Sequence, residues 1–346
     1  EFVFYFPFTY RTLDRECRTR LVKPPDEVAV TIVGDILLGD RAASYLAKKG
    51  YEYPFERTRH ILRAADLAIG NLEGPVTDRG RRDGSRTWAY RVPPASVRGL
   101  VGAGFQAMAM ANNHLRDYGD AGVIDSVLHL SNAGITPFGA GATAGAAHRP
   151  LLRTIRGVRV AVFSYLAPYV YLGGKHYFSY HQFAAVPGRA GGAYGSLAAV
   201  KTDIKKIRSQ ADVVIVIVHT GDRYQRQPKP EEIRYLQRIL DLGADAVVCH
   251  GTHIAGPVGL YKGKPILYGV GNFAFGSQNV QANFSLIATL FIDTGKKHIR
   301  RAEALPIYAN NANPLVWYRS IVLKPNKAAG VLRELAKRSV GLGGAL

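Results

Sequence analysis

The stretch DVVIVIV, residues 212–218, sets six branched apolar residues in a row with no polar alternate. A strand that shows one face to water alternates, so an unbroken apolar run must be covered on both faces. Such a strand needs a layer above it and a layer below it. The surrounding chain repeats the pattern. Strands are expected at 28–33 (VAVTIV), 67–70, 107–111, 158–166, 245–249 and 264–271, and a later one at 285–293. Helices are expected at about 54–65, 95–103, 120–133, 197–209 and 230–242. The last carries Ile233, Leu236, Ile239 and Leu240 on one stripe, with Pro230 near its start and Gly243 after its end, the usual order of helix punctuation. This alternation predicts an α/β layered fold.

The chain has 346 residues, 47% of them hydrophobic, enough for one large core. The expected organisation is an N-terminal extension (1–26), one domain (27–310) and a C-terminal arm with a helix (311–346). The glycine- and aromatic-rich section 168–196 reads as a long loop inside the domain, because strands and helices resume on both sides. A formal charge of +19 favours an anionic partner. The densest basic clusters are RGRRDGSRTWAYR (79–91) and KKIR (205–208). No zinc-finger spacing or aromatic RNA-binding signature accompanies them, so nucleic acid is not the expected partner. No apolar run of about 18 residues suggests a membrane span. The opening EFVFYFPFTY lacks a basic flank and a small-residue cleavage site, so it does not read as a signal peptide. Two cysteines, Cys17 and Cys249, fit a reducing compartment, and the expected location is cytoplasmic.

Where the polar residues sit is more informative than how many there are. The strand at 28–33 leads to Asp35, and that at 67–70 to Asn71 and Glu73. The strand at 107–111 leads to Asn113, His114 and Asp117, and that at 212–218 to His219 and Asp222. The last two lead to His250 and His253 (CHGTH) and to Asn272 (GNF). A single Asp or Asn after a strand is ordinarily a turn or cap residue. Six polar strand ends in succession predict one pocket beyond the carboxyl edge of a sheet.

These motifs, VGDILLGD, GNLEGPV, ANNHLRDYG, VHTGDRY, HGTHIAGP and YGVGNFAF, resemble in order the CapA-like capsule-synthesis family of the calcineurin-like metallophosphoesterase superfamily. The resemblance runs from about 28 to 292 and implies a four-layer αββα sandwich with mixed sheets. In metal-dependent members of that superfamily two ions are held by carboxylates, an Asn and several His. Carried over, the ligand positions here are Asp35, Glu73, Asn113, His219 and His253, with His114 at the place of the acid that assists phosphate chemistry. Two places depart from the pattern. Leu37 stands where a His usually follows the first Asp, and Gly251 stands where the first His of a His-x-His pair belongs, with His250 displaced by one residue. Thr220, Arg223 and Gly276 also replace a Trp and two acids. The expectation is a site that has lost its metals, with no cofactor.

Acid–base groups do not need metal to move protons. The expected catalytic set is Asp35, Glu73, His114, His219 and His253. Substrate contacts are expected from Asn71, Asn113, Arg81, Arg82, Tyr224, His250 and Asn272. A metal-poor member resembles the branch of isomerases that epimerise one residue of a ribosomally made peptide, lasso-peptide precursors included. The partner then expected is an anionic precursor peptide. Two other readings stand beside it. One is a CapA-like hydrolase or poly-γ-glutamate capsule factor that would use Mn, Fe or Zn. The other is a non-catalytic binder of anionic polymers on a dead phosphatase scaffold, depending on Arg81, Arg82 and Arg86.

Overall fold

The computed structural model describes residues 21–343 except 169, 173–174, 179, 278–280, 312 and 314–315, with side chains described outside 169–180. Cys17 and residues 1–20 of the expected extension therefore lie outside the described residues, whereas the expected loop at 168–196 carries a short antiparallel hairpin, Val170–Leu172 with Lys175–Phe178. The first sheet begins with parallel strands β1 (Glu27–Leu37), β2 (Leu67–Leu72), β3 (Ala107–Ala109) and β4 (Thr136–Phe138). Helices α1 (Ala43–Lys49), α2 (Arg59–Ala64), α3 (Val97–Ala103) and α4 (Gly119–Asn132) fill the crossovers.

The chain then builds a second sheet from β5 (Leu151–Ile155), β6 (Val158–Leu166), β7 (Val213–His219), β8 (Ala246–His250), β9 (Val258–Tyr261) and β10 (Lys264–Leu267). Its order is β9-β10-β8-β7-β6-β5, parallel in the middle and antiparallel at both edges. Helices α5 (Leu197–Ile207) and α6 (Pro230–Asp241) cover it. The chain next returns to the first sheet. There β11 (Asn272–Phe275) pairs with β1 in parallel, and β12 (Phe284–Asp293), β13 (Ile299–Tyr308) and β14 (Ile321–Val322) extend the other edge antiparallel. Helix α7 (Pro325–Ser339) follows.

Alternation along β7 shows the layering. Val213, Ile215 and Ile217 join Val28, Val30 and Ile32 of β1 in a core between the sheets. Val214, Val216 and Val218 face the other way, onto Val200, Ile204, Leu236 and Ile239 of α5 and α6. The far side of the first sheet packs Ile36, Leu72 and Met108 against Leu46, Leu62, Leu100 and Leu130 of its own helices. The result is an α/β fold with two mixed sheets inside two helical layers. Each fully buried aliphatic side chain contributes about 1.5–3 kcal/mol, and both faces of β7 are used. Helix α7 sends Val331 and Leu335 into the core between the sheets.

Several boundaries differ from the sequence expectation for local reasons. The strand expected at 264–271 ends at Leu267, because the chain crosses between sheets before β11. The helix expected at 54–65 splits into a short 3₁₀ turn, Tyr53–Phe55, and α2. Strand β13 was not anticipated: its charged residues, Arg300, Arg301 and Glu303, hide the apolar alternation that buries Ala302 and Ala304.

Those charges have partners at the amino end of β1. Buried Glu27 meets Arg300 at 3.1 Å and also pairs with Arg301. Arg300 pairs with Asp293 and lies 3.0 Å from Asp26. Nearby, Asp66 accepts from Lys23 at 2.6 Å, from the Ala29 N–H at 2.8 Å and from Arg156 at 2.6 Å.

Candidate acid–base site at the carboxyl ends of the strands

Asn272, Asp35 and Asn71 lie side by side on β11, β1 and β2. The row is possible because β1 bulges between Ile32 and Asp35, a device that re-aims a side chain near a strand end. Gly34 permits it: a Cβ there would stand 1.8 Å from the Gly271 carbonyl oxygen. The neighbouring Asp35 N–H donates to that same carbonyl at 2.9 Å. Asn71 donates to Asp35 Oδ1 at 2.8 Å, and Asn112 donates to Asn71 at 3.2 Å and to the Leu72 carbonyl at 2.8 Å.

His253 enters from the second sheet on a loop held in the left-handed region, with φ 61°. Tyr224, whose N–H donates to Thr252, is left-handed too, with φ 65°. Two strained non-glycine residues side by side are the kind of feature found at functional sites. His253 Nδ1 donates to Asn272 Oδ1 at 2.8 Å and stands 3.1 Å from Asp35 Oδ2, while its Nε2 lies 3.8 Å from Glu73 Oε1. His114 approaches the same oxygen from β3. Its Nε2 is 3.9 Å from Glu73 Oε1, and its Nδ1 is 2.7 Å from Asp117 Oδ2. Asp117 is fully buried, pairs with Arg86 and accepts from the Tyr90 N–H at 2.6 Å. The Tyr90 ring lies 4.2 Å from that of His114, and Arg86 rests 4.8 Å above Phe183.

Burial would raise the Asp35 carboxyl, but His253 beside it outweighs burial and holds it below the usual carboxylate range. Burial, reinforced by the charge of Asp35, raises Glu73 well above its ordinary value. Burial would lower His253, yet Glu73 and Asp35 carry it up to about 9. For His114 burial wins over Asp117 and the imidazole is lowered. The two imidazoles on either side of Glu73 are thus shifted in opposite directions, His253 upward and His114 downward. Both Glu73 oxygens, Asp35 Oδ2 and Asn113 Oδ1 are buried without a hydrogen-bond donor. Orphaned polar atoms at that depth are rare.

The remaining residues take other places. His219 is buried, and burial depresses its pKa to about 3, so it is a neutral neighbour. His250 turns inward and bonds the Val33 carbonyl through Nε2 at 2.9 Å, tying β8 to β1; as a substrate contact it is corrected to a structural link. Arg81 and Arg82 are exposed, and the bonds of Arg82 run to the Arg86 and Thr87 carbonyls of its own loop. In that basic cluster it is Arg86 that reaches the cleft. The Tyr224 ring stands 6.4 Å from that of His253. Asp222 is paired with Lys229 at 2.8 Å. Asn112 and the Asp117 support of His114 are additions. The i, i+3 spacing in HLRD carried the signal for the second of these.

Among the described residues, one group fits a metal ion. Asp35, Glu73 and His253 each offer a ligand atom, all within 4.8 Å of one another. The two histidines that the family pattern would add are lacking: Leu37, in the place of one, is packed in the core, and the displaced His250 spends its Nε2 on Val33. At Gly251, where φ is 108°, a Cβ would lie 2.6 Å from the Thr220 carbonyl oxygen and 3.2 Å from His219 Nε2, so no side chain fits there.

The family model described as "Bacterial capsule synthesis protein PGA_cap" matches residues 29–277, and the chain belongs to that family. The PGA biosynthesis protein CapA of Bacillus subtilis is 27% identical over 316 residues, covering 91% of this chain and 79% of that protein. The capsule biosynthesis protein CapA of Bacillus anthracis is 27% identical over 270 residues, 75% of this chain and 63% of that one. A Mycobacterium tuberculosis protein named "Probable polyglutamine synthesis accessory protein" is 25% identical over 358 residues, 89% of this chain and 93% of that one.

Proposed function

We propose that this capsule-family chain is an acid–base enzyme acting on a peptide chain, inverting one Cα centre by proton transfer between two imidazoles. One observation carries the reading: Nε2 of His114 and Nε2 of His253 face the same Glu73 oxygen, at 3.9 and 3.8 Å, from different sheets. In both rings Nδ1 is engaged, by Asp117 in one and by Asn272 in the other. That leaves each Nε2 aimed into the cleft. His114 takes the Cα proton at Nε2, and the electron pair left behind is delocalised onto the adjacent carbonyl as an enolate. A proton from His253 Nε2 then reaches the carbon from the opposite face. The sum is one proton removed and one returned, with the configuration reversed. Glu73 lies between the two imidazoles and lets the proton inventory reset. Amide donors near Asp35, Asn71 foremost, stabilise the enolate oxygen.

The test is solvent exchange. Incubation in heavy water with α-linked acidic peptides should place one deuterium at a single Cα, read by mass spectrometry. Peptides recovered without deuterium from folded protein would sink the reading.

A second reading is favoured by the trio within 4.8 Å and by the names of the relatives. In it the chain serves poly-γ-glutamate capsule synthesis, and Asp35, Glu73 and His253 hold one divalent ion that supplies Lewis acidity. It predicts retained Mn, Fe or Zn after purification and chelator-sensitive shortening of a γ-glutamyl oligomer.

A further inference from the structure

A groove of about 800 Å³ lies beside the acid–base cluster, between the loop carrying Tyr224, the start of β12 and helix α7. Tyr224 and Ile254 form its near end, and Ile254 directly follows His253. The walls are of two kinds. Ile254, Phe284 and Val331 are apolar, and Phe284 keeps 38% of its surface exposed. Arg226 and Lys327 are exposed cations with no carboxylate partner among the described residues. Arg338, farther along the same wall, is already paired with Glu334 at 3.1 Å. An exposed phenyl ring between unpaired cations, in a concavity of ligand-site size, marks a binding surface.

The mixture of walls selects the occupant. A uniformly charged glutamate polymer would satisfy Arg226 and Lys327 but leave Phe284, Ile254 and Val331 wet. An apolar peptide would cover those three and strand the cations. An extended peptide presents successive side chains to opposite sides, so alternating carboxylate and apolar residues satisfy both walls at once. We propose that this groove holds an extended peptide carrying both acidic and apolar side chains, and that it leads that peptide's reacting residue to His253. The assignment rests on the acid–base reading of the neighbouring cluster.

The experiment is fluorescence anisotropy with the full chain and three labelled probes. One is a short peptide alternating glutamate with leucine and phenylalanine, one its lysine counterpart, and one a γ-glutamyl oligomer. The alternating peptide should bind, more weakly as salt rises, and the lysine counterpart should not. Arg226→Glu, Lys327→Glu and Phe284→Ser should each weaken binding about tenfold, with Lys48→Glu on the exposed face of α1 binding like wild type. Unchanged affinity across the three groove variants overturns the proposal. So does tight binding of the γ-glutamyl oligomer that Phe284→Ser leaves intact, since that describes a homopolymer site. The two readings fail separately: exchange intact in groove variants removes the groove alone, whereas tight peptide binding without any Cα exchange removes the acid–base reading alone.

Discussion

Strand β1 carries a buried carboxylate near each end, and the two are treated in opposite ways. At the amino end Glu27 is met by two guanidinium groups, and Asp66 close by accepts from a lysine, an arginine and a backbone N–H. At the carboxyl end Asp35 and Glu73 are just as deeply buried, yet three of their four oxygens lack a hydrogen-bond donor and the nearest cationic group is a histidine. Saturated carboxylates with fixed arginine partners hold a fold together. Carboxylates left short of donors, with imidazoles as their partners, are poised to exchange protons. The same residue type is saturated at one end of a strand and left short of donors at the other, and the partners make the difference.

The sharpest way to break this contrast is to neutralise one carboxylate at each end. Asp35→Asn keeps the Asn71 bond but removes the charge beside His253. Cα exchange should fall about 10³-fold, with the melting temperature unchanged or higher. A variant that still exchanges at the wild-type rate would place the chemistry elsewhere. Glu27→Ala should do the reverse. Loss of about 2–4 kcal/mol in denaturant melts is expected, discounted for the partial exposure of Arg300, with exchange per folded molecule retained.

Gly251→His tests whether the missing metal ligand can be put back. The positive φ and the close Thr220 carbonyl should make it destabilising by about 1–3 kcal/mol, with no gain in bound metal by elemental analysis. A stable variant that acquires a second equivalent of metal would reverse the reading of Gly251. Asp117→Asn should cost about 10–100-fold in exchange, as loss of a group orienting an imidazole does, and should move the pH–rate profile, which a purely structural defect would leave in place. The smallest effect is at the amino end. The partners of Asp66 outweigh its partial burial and hold its carboxyl below the ordinary value. Its stabilisation is therefore complete above that ordinary value and is lost as pH falls through the folded-state value. In Asp66→Asn the acid limb of the stability curve should flatten, as followed by circular dichroism.

Much of this could be read before any coordinates. The unbroken apolar run of β7 required two covering layers, and the polar strand ends named Asp35, Glu73, His114 and His253. What stayed hidden depended on distance in sequence. Arg300 and Arg301 read as solvated charges because Glu27 lies far away along the chain. His250 read as a contact because the Val33 carbonyl that holds it belongs to the other sheet. Arg81 and Arg82 outshone Arg86 because a cluster of arginines does not reveal which one folds inward onto Asp117.

The late place of His253 and Asn272 in the chain has a consequence for the order in which the protein is made. Asp35, Glu73 and His114 leave the ribosome early, on strands that already pair with one another. His253 and Asn272 come much later, one on the loop after β8 and the other at the start of β11, on either side of the β9–β10 hairpin. Domains generally fold as units, so these five side chains come together only after the last of these strands has been made.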